Sequence, residues 1–231
     1  MGQFTNLTAA DGFVFSAYVA QPEGTPTAAV VVLQEIFGVN AHIRSVADLY
    51  AEQGYLVVAP ATFERVQPGV ELGYTEADMG TGFGYKTAVD ALPAPGVLQD
   101  IQAAIHHAAK VSGGKVGIVG FCWGGVLTWR AACTLTGLSA AVPYYGGGIT
   151  APEEIARTPK CPVLAHFADN DSYIPLDGVD AFKKAHPEVE THIYAGHHGF
   201  NCDQRASFDE AARDLARERS LAFFAAHLAL N

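Results

Sequence analysis

Apolar positions recur along this chain with two periods, and the alternation between them lays out the elements. Six consecutive apolar residues at 28–33 read as an inner strand covered on both faces. Shorter runs at 55–59, 116–119, 138–145, 162–167 and 190–194 have strand length, and several end at glycine or proline. Two further strands open the chain at about 3–8 and 12–20, joined by the turn signal Ala10-Asp11-Gly12. Between the strands the period lengthens to that of a helix: 41–53, with Ile43, Val46, Ala47 and Tyr50 on one face and Gly54 as its stop, then 97–109, 123–135, a short 177–184 and a long 204–228. Residues 62–95 lose both periods and read as an irregular excursion of the kind that lies over a substrate site. Strands alternating with helices predict an α/β fold, a mostly parallel central sheet with helices on both faces, as one domain over residues 1–231.

Composition narrows the function classes. A formal charge of −10 disfavours nucleic acid and anionic membrane as partners, because both are bound through basic patches. No apolar run approaches a membrane span, and no basic segment followed by an apolar core opens the chain, so a cytoplasmic location is expected. Four cysteines without C-x-x-C spacing, and no His-x-x-x-His pair, predict neither a structural zinc site nor a disulfide framework. No metal and no cofactor are expected. Asp169-Asn170-Asp171 lacks the glycine a calcium loop needs, and Gly80-Thr81-Gly82-Phe83-Gly84 lacks a preceding strand and reads as a loop. His42, His186 and His227 fall on solvated or partly buried helix surfaces in this reading.

The chemistry concentrates after the strand at 116–119. Gly120-Phe121-Cys122-Trp123-Gly124-Gly125 is a strand-to-helix turn of the G-x-nucleophile-x-G type, with sulfur where serine is usual. In a parallel sheet, sites form at the carboxyl ends of strands, and Glu35, Cys122, Asp171 and His198 all follow such ends. A thiol needs a base near neutral pH, and the base needs an orienting carboxylate. Cys122, Asp171 and His198 supply these in chain order, with Asp171 favoured over the turn residue Asp169 and His198 over His197.

Four separated motifs together, Gln34-Glu35-Ile36-Phe37-Gly38-Val39-Asn40, the segment around Cys122, Asp171 with Pro175, and His198-Gly199-Phe200, resemble the dienelactone hydrolase family from about residue 10 to the last helix. The resemblance implies Cys122 as nucleophile, His198 as base, Asp171 as its orienter and Glu35 as a partner of the resting thiol. It also implies an oxyanion hole of the Ile36 and Trp123 backbone N–H groups, with Tyr85, Phe37 and Phe200 at the substrate. Thr81 and Cys202 stand where the resemblance would place carboxylate-binding arginines, with Arg205 or Lys86 as possible replacements. The expectation is a cysteine-dependent hydrolase of a small carboxylic ester or lactone, acting as a monomer or small homo-oligomer. A thioesterase or other acyl hydrolase on the same residues, or a non-catalytic binding protein on the same fold, are the alternatives.

Overall fold

The computed structural model describes residues 2–229, so Met1, Leu230 and Asn231 of the expected domain lie outside the described residues. The continuous apolar run becomes β3 (Ala28–Leu33), buried at every position in the middle of an eight-stranded sheet. The other strands are β1 (Gln3–Thr8), β2 (Val14–Ala20), β4 (Leu56–Pro60), β5 (Lys115–Phe121), β6 (Leu138–Tyr144), β7 (Leu164–Ala168) and β8 (Glu190–Tyr194). Their order is β1-β2-β4-β3-β5-β6-β7-β8; the pairs involving β1 and β2 are antiparallel and the rest parallel. Helices α1 (Ala41–Glu52) and α7 (Glu210–Leu228) cover one face, where Phe224 of α7 meets Tyr50 of α1 edge-on. α3 (Leu98–Ser112), α4 (Trp123–Thr134) and α6 (Leu176–Ala185) cover the other, where Trp129 packs against Phe182.

The strand order reverses between β3 and β5, which lie side by side with Leu33 opposite Gly120. At such a reversal the two following loops diverge to opposite faces and leave a crevice beyond the strand ends. Glu35 and Cys122 follow these two strands.

Three elements depart from the sequence reading. The excursion at 62–95 contains a helix, α2 (Glu76–Asp90), and the glycine-rich stretch read as a loop lies inside it. Thr75 and Asp78 form a reciprocal capping box that starts the helix, and Gly82 packs so closely on the Ile36 carbonyl that a Cβ would stand 2.2 Å from that oxygen. The glycines that lower helix propensity here permit the contact that holds the helix over the crevice. The terminal helix begins at Glu210, capped by Asp209, because residues 204–209 turn back toward the site. A one-turn helix, α5 (Pro152–Ile155), was not anticipated. His42 and His186, read as solvated or partly buried, are both buried.

The turn from β5 into α4 depends on close backbone approach. A Cβ on Gly120 would lie 2.2 Å from the Gly124 carbonyl oxygen and 2.4 Å from Thr128 Oγ1. Gly120→Ala is therefore expected to cost about 1–3 kcal/mol or more from overpacking. Thermal unfolding should record this as a fall in Tm of roughly 2–12 °C.

Candidate active site

β5 delivers Cys122 into a backbone conformation that only a constrained turn holds: φ 56°, ψ −121° at a residue with a side chain. Such a conformation costs about 1–3 kcal/mol and persists where the surroundings impose it. Here the Cys122 N–H donates to the Tyr144 carbonyl of β6 at 3.1 Å, and the Cys122 carbonyl accepts from Gly125 N–H at 2.9 Å, the start of α4. The sulfur is thereby lifted out of the sheet, and Cys122 lines a cavity of about 230 Å³ at the crevice.

The loop after β7 places Asp171, and the loop after β8 places His198. Asp171 Oδ1 accepts from the Tyr173 N–H at 2.8 Å, which fixes the carboxylate, and Oδ2 lies 2.8 Å from His198 Nδ1. The Asp171 side chain is fully buried and that of His198 nearly so. With Nδ1 engaged by the carboxylate, Nε2 is the nitrogen left for Cys122 on the shared cavity wall. The ring is held between Tyr145 and Tyr173, at centroid distances of 5.2 and 4.8 Å. Burial opposes a charge on His198, but the Cys122 sulfur and the Asp171 carboxylate outweigh it and push its pKa up to about 10. A pKa raised above the ordinary 6.5 means that protonated His198 favours the folded state; this contribution is complete below 6.5 and fades as pH rises through about 10. The Tm advantage of wild type over His198→Gln should shrink across that window, and a constant difference would remove the assignment.

The neighbouring candidates separate as well. Asp169 Oδ1 accepts from Gly196 N–H at 3.0 Å and ties the two loops together, while His197 is exposed with Nδ1 near the Asn170 carbonyl.

Glu35 is buried behind the cavity, and its Oε1 accepts from Arg205 Nη1 at 3.0 Å. Among the described residues no hydrogen bond joins it to Cys122, so the expected pairing with the resting thiol is replaced by an ion pair with a guanidinium. Burial works against the Arg205 charge, but Glu35 and Cys122 more than offset it and raise its pKa.

Of the aromatic positions expected at the substrate, Phe37 lines the cavity, as do Ile36 and Trp123. Phe200 does not: it is fully buried, packed on Tyr145 and Tyr194, because the Gly199 turn folds it under the sheet end. Tyr85 stands in a second layer against Phe63, which in turn stacks on Trp123 at 5.1 Å. Sequence reasoning missed Met79 and Phe83, which α2 brings to the cavity, and Tyr173 at its rim. Thr81 turns outward, with its hydroxyl on the Ala77 carbonyl, and Cys202 is buried away from the opening. Lys86 and Arg205 are the cations on the wall, and Lys86 Nζ also pairs with Asp90 at 2.8 Å.

A strained elbow at the reversal of a mostly parallel sheet, with an Asp–His pair on the two neighbouring loops, defines an α/β hydrolase. The model of the dienelactone hydrolase family matches residues 15–228, and the chain belongs to that family as an ester or lactone hydrolase. A carboxymethylenebutenolidase of Pseudomonas putida is 34% identical over 225 residues, covering 93% of this chain and 92% of the relative. A Klebsiella pneumoniae crystal structure, provisionally assigned as a dienelactone hydrolase, superposes with a TM-score of 0.83 at 31% identity, covering 97% of this chain and 99% of that one. The fold alone is shared with P91, a dienelactone hydrolase-like promiscuous phosphotriesterase from metagenomic libraries, at TM-score 0.76 and 20% identity over 99% of both chains. Among the described residues no helix is long and apolar enough to cross a membrane.

Proposed function

We propose that the protein cleaves a small carboxylic ester or lactone bearing a carboxylate, through an acyl-thiol intermediate on Cys122. The observation that carries this reading is the shared cavity: Cys122 on its strained turn, His198 held by Asp171, and the cations Lys86 and Arg205 all line it. A positioned base and orienter beside the sulfur is an arrangement a purely binding role would not need.

The Cys122 proton resides on His198, whose raised pKa keeps it there, and the sulfur attacks the carbonyl carbon. The negative charge that develops on the carbonyl oxygen is received by the N–H groups of Ile36 and Trp123. Trp123 opens α4 and so has no carbonyl one turn earlier to bond, which leaves its N–H for this role. Each such donor contributes about 3 kcal/mol to lowering the barrier. Collapse breaks the carbon–oxygen bond, and the leaving oxygen takes the proton from His198; in a lactone it stays tethered to the acyl chain. Water then attacks the acyl-thiol with His198 as base, and the acid and free thiol are released. Glu35 holds Arg205 at the cavity edge, Phe37 supplies the apolar wall, and Tyr85 backs it through Phe63 and Trp123.

The carboxylate preference follows from the wall cations and is testable by ratio. Arg205→Gln should lower kcat/KM for anionic esters by about 10- to 100-fold, the worth of one charge-assisted hydrogen bond, and affect a neutral ester of equal size far less. Equal losses on both substrates would show that Arg205 acts only on the structure of the site.

A further inference from the structure

Behind the cavity wall lies a group of side chains that the proposed hydrolysis leaves partly unused. Glu35, His42 and Cys202 are all buried, and one donor atom of each lies within 4.8 Å of the others. Two atoms of the trio have no hydrogen-bond partner among the described residues: Glu35 Oε2 and His42 Nε2. A buried carboxylate oxygen and a buried ring nitrogen left unpaired are each costly, and together they point to a missing common partner. Of the other atoms, Oε1 takes Arg205, His42 Nδ1 lies 3.3 Å from Asp203 Oδ1, and the Cys202 thiol stands beside the Tyr74 hydroxyl.

We propose that Glu35, His42 and Cys202 form a binding site for one thiophilic divalent cation, Zn²⁺. A thiolate, an imidazole and a carboxylate are the donor types that a tetrahedral zinc ion takes, with a water in the fourth position. Asp203 stands where a second carboxylate orients a metal-bound histidine through its other nitrogen. Bond lengths of about 2.0–2.3 Å bring donors to roughly 3.5 Å apart, so donors that lie within 4.8 Å of one another must draw together by at most about 1.3 Å. Charge also closes: Glu35, Asp203 and an ionised Cys202 balance the cation together with Arg205. On binding, the Cys202 S–H bond is replaced by a sulfur–zinc bond and the proton leaves to solvent. His42 and Asp203 border an open cleft of about 170 Å³ whose lining does not include Cys122. With Arg205 on Oε1 and the cation on Oε2, Glu35 would be held in its present orientation.

The site does not depend on Cys122 being the nucleophile, and its test is made without activity. Zn²⁺ is added to wild type and to Cys122→Ser, the latter removing the exposed thiol as a competing ligand, and bound metal is measured after gel filtration and by calorimetry. One equivalent per chain is expected in both. In the Cys122→Ser background, Cys202→Ser and His42→Gln should weaken binding by at least about 100-fold, and Asp203→Asn by about 10- to 100-fold. Cobalt(II) loading of Cys122→Ser should give a thiolate-to-metal charge-transfer band that Cys202→Ser abolishes. If Cys202→Ser fails to fold, as circular dichroism of the metal-free protein would show, His42→Gln decides. No stoichiometric binding by wild type, binding lost with Cys122 alone, or binding indifferent to both Cys202 and His42 would each overturn the proposal.

Discussion

Cys122→Ala should abolish hydrolysis of a small activated ester, with kcat falling by about 10⁴-fold or more, because a nucleophile supplies a step that the rest of the site cannot replace. The protein should remain folded. Cys122 is partly exposed at the head of α4, and alanine keeps the Cβ that the strained turn already accommodates. Any residual rate reflects binding and the Ile36 and Trp123 N–H groups, which the substitution leaves intact. Purified variant with unchanged circular dichroism and Tm provides the control. Full activity in such a sample would place the chemistry elsewhere.

Asp171→Asn is expected to be nearly as damaging, at about 10⁴-fold in kcat, although its carboxylate touches no substrate. Asp171 accepts at both oxygens, from the Tyr173 N–H and from His198 Nδ1. An amide can donate toward Nδ1 and so stabilise the ring with its proton on Nε2, the wrong tautomer for taking a proton from Cys122. The steady-state rate should therefore fall while KM moves little. Loss of the carboxylate should also bring down the raised pKa of His198, visible as a downward shift of its NMR titration. A variant with normal kcat would make the pair a structural one.

Much of this arrangement is legible in the sequence because its signals are local. β3 shows itself through six consecutive apolar residues, and the turn around Cys122 through glycines at 120, 124 and 125 that only close packing requires. The order Cys122, Asp171, His198 needs only that each follow a strand. What remained hidden depends on contacts distant in sequence. α2 was obscured because Gly80, Gly82 and Gly84 argue against a helix until Gly82 is seen resting on the Ile36 carbonyl. Arg205 could be named as a cation, but its place on the cavity wall comes from the turn after Gly199 and from Glu35, 170 residues away. Phe200 follows His198 closely, yet the same turn sends it into the core. The Glu35–His42–Cys202 group carries no metal-binding spacing, since its members come from three separate parts of the chain.

The account stands on sulfur as the attacking atom, and mass spectrometry of the acylated protein tests this most directly. The protein is mixed with an activated ester that acylates faster than it deacylates, quenched in acid, and measured intact and after digestion. One acyl group per chain is predicted on the peptide containing Cys122, labile to hydroxylamine as a thioester is, and absent from Cys122→Ala. An acyl group on a different residue, or full turnover by a chain whose Cys122 has been alkylated beforehand, would contradict it.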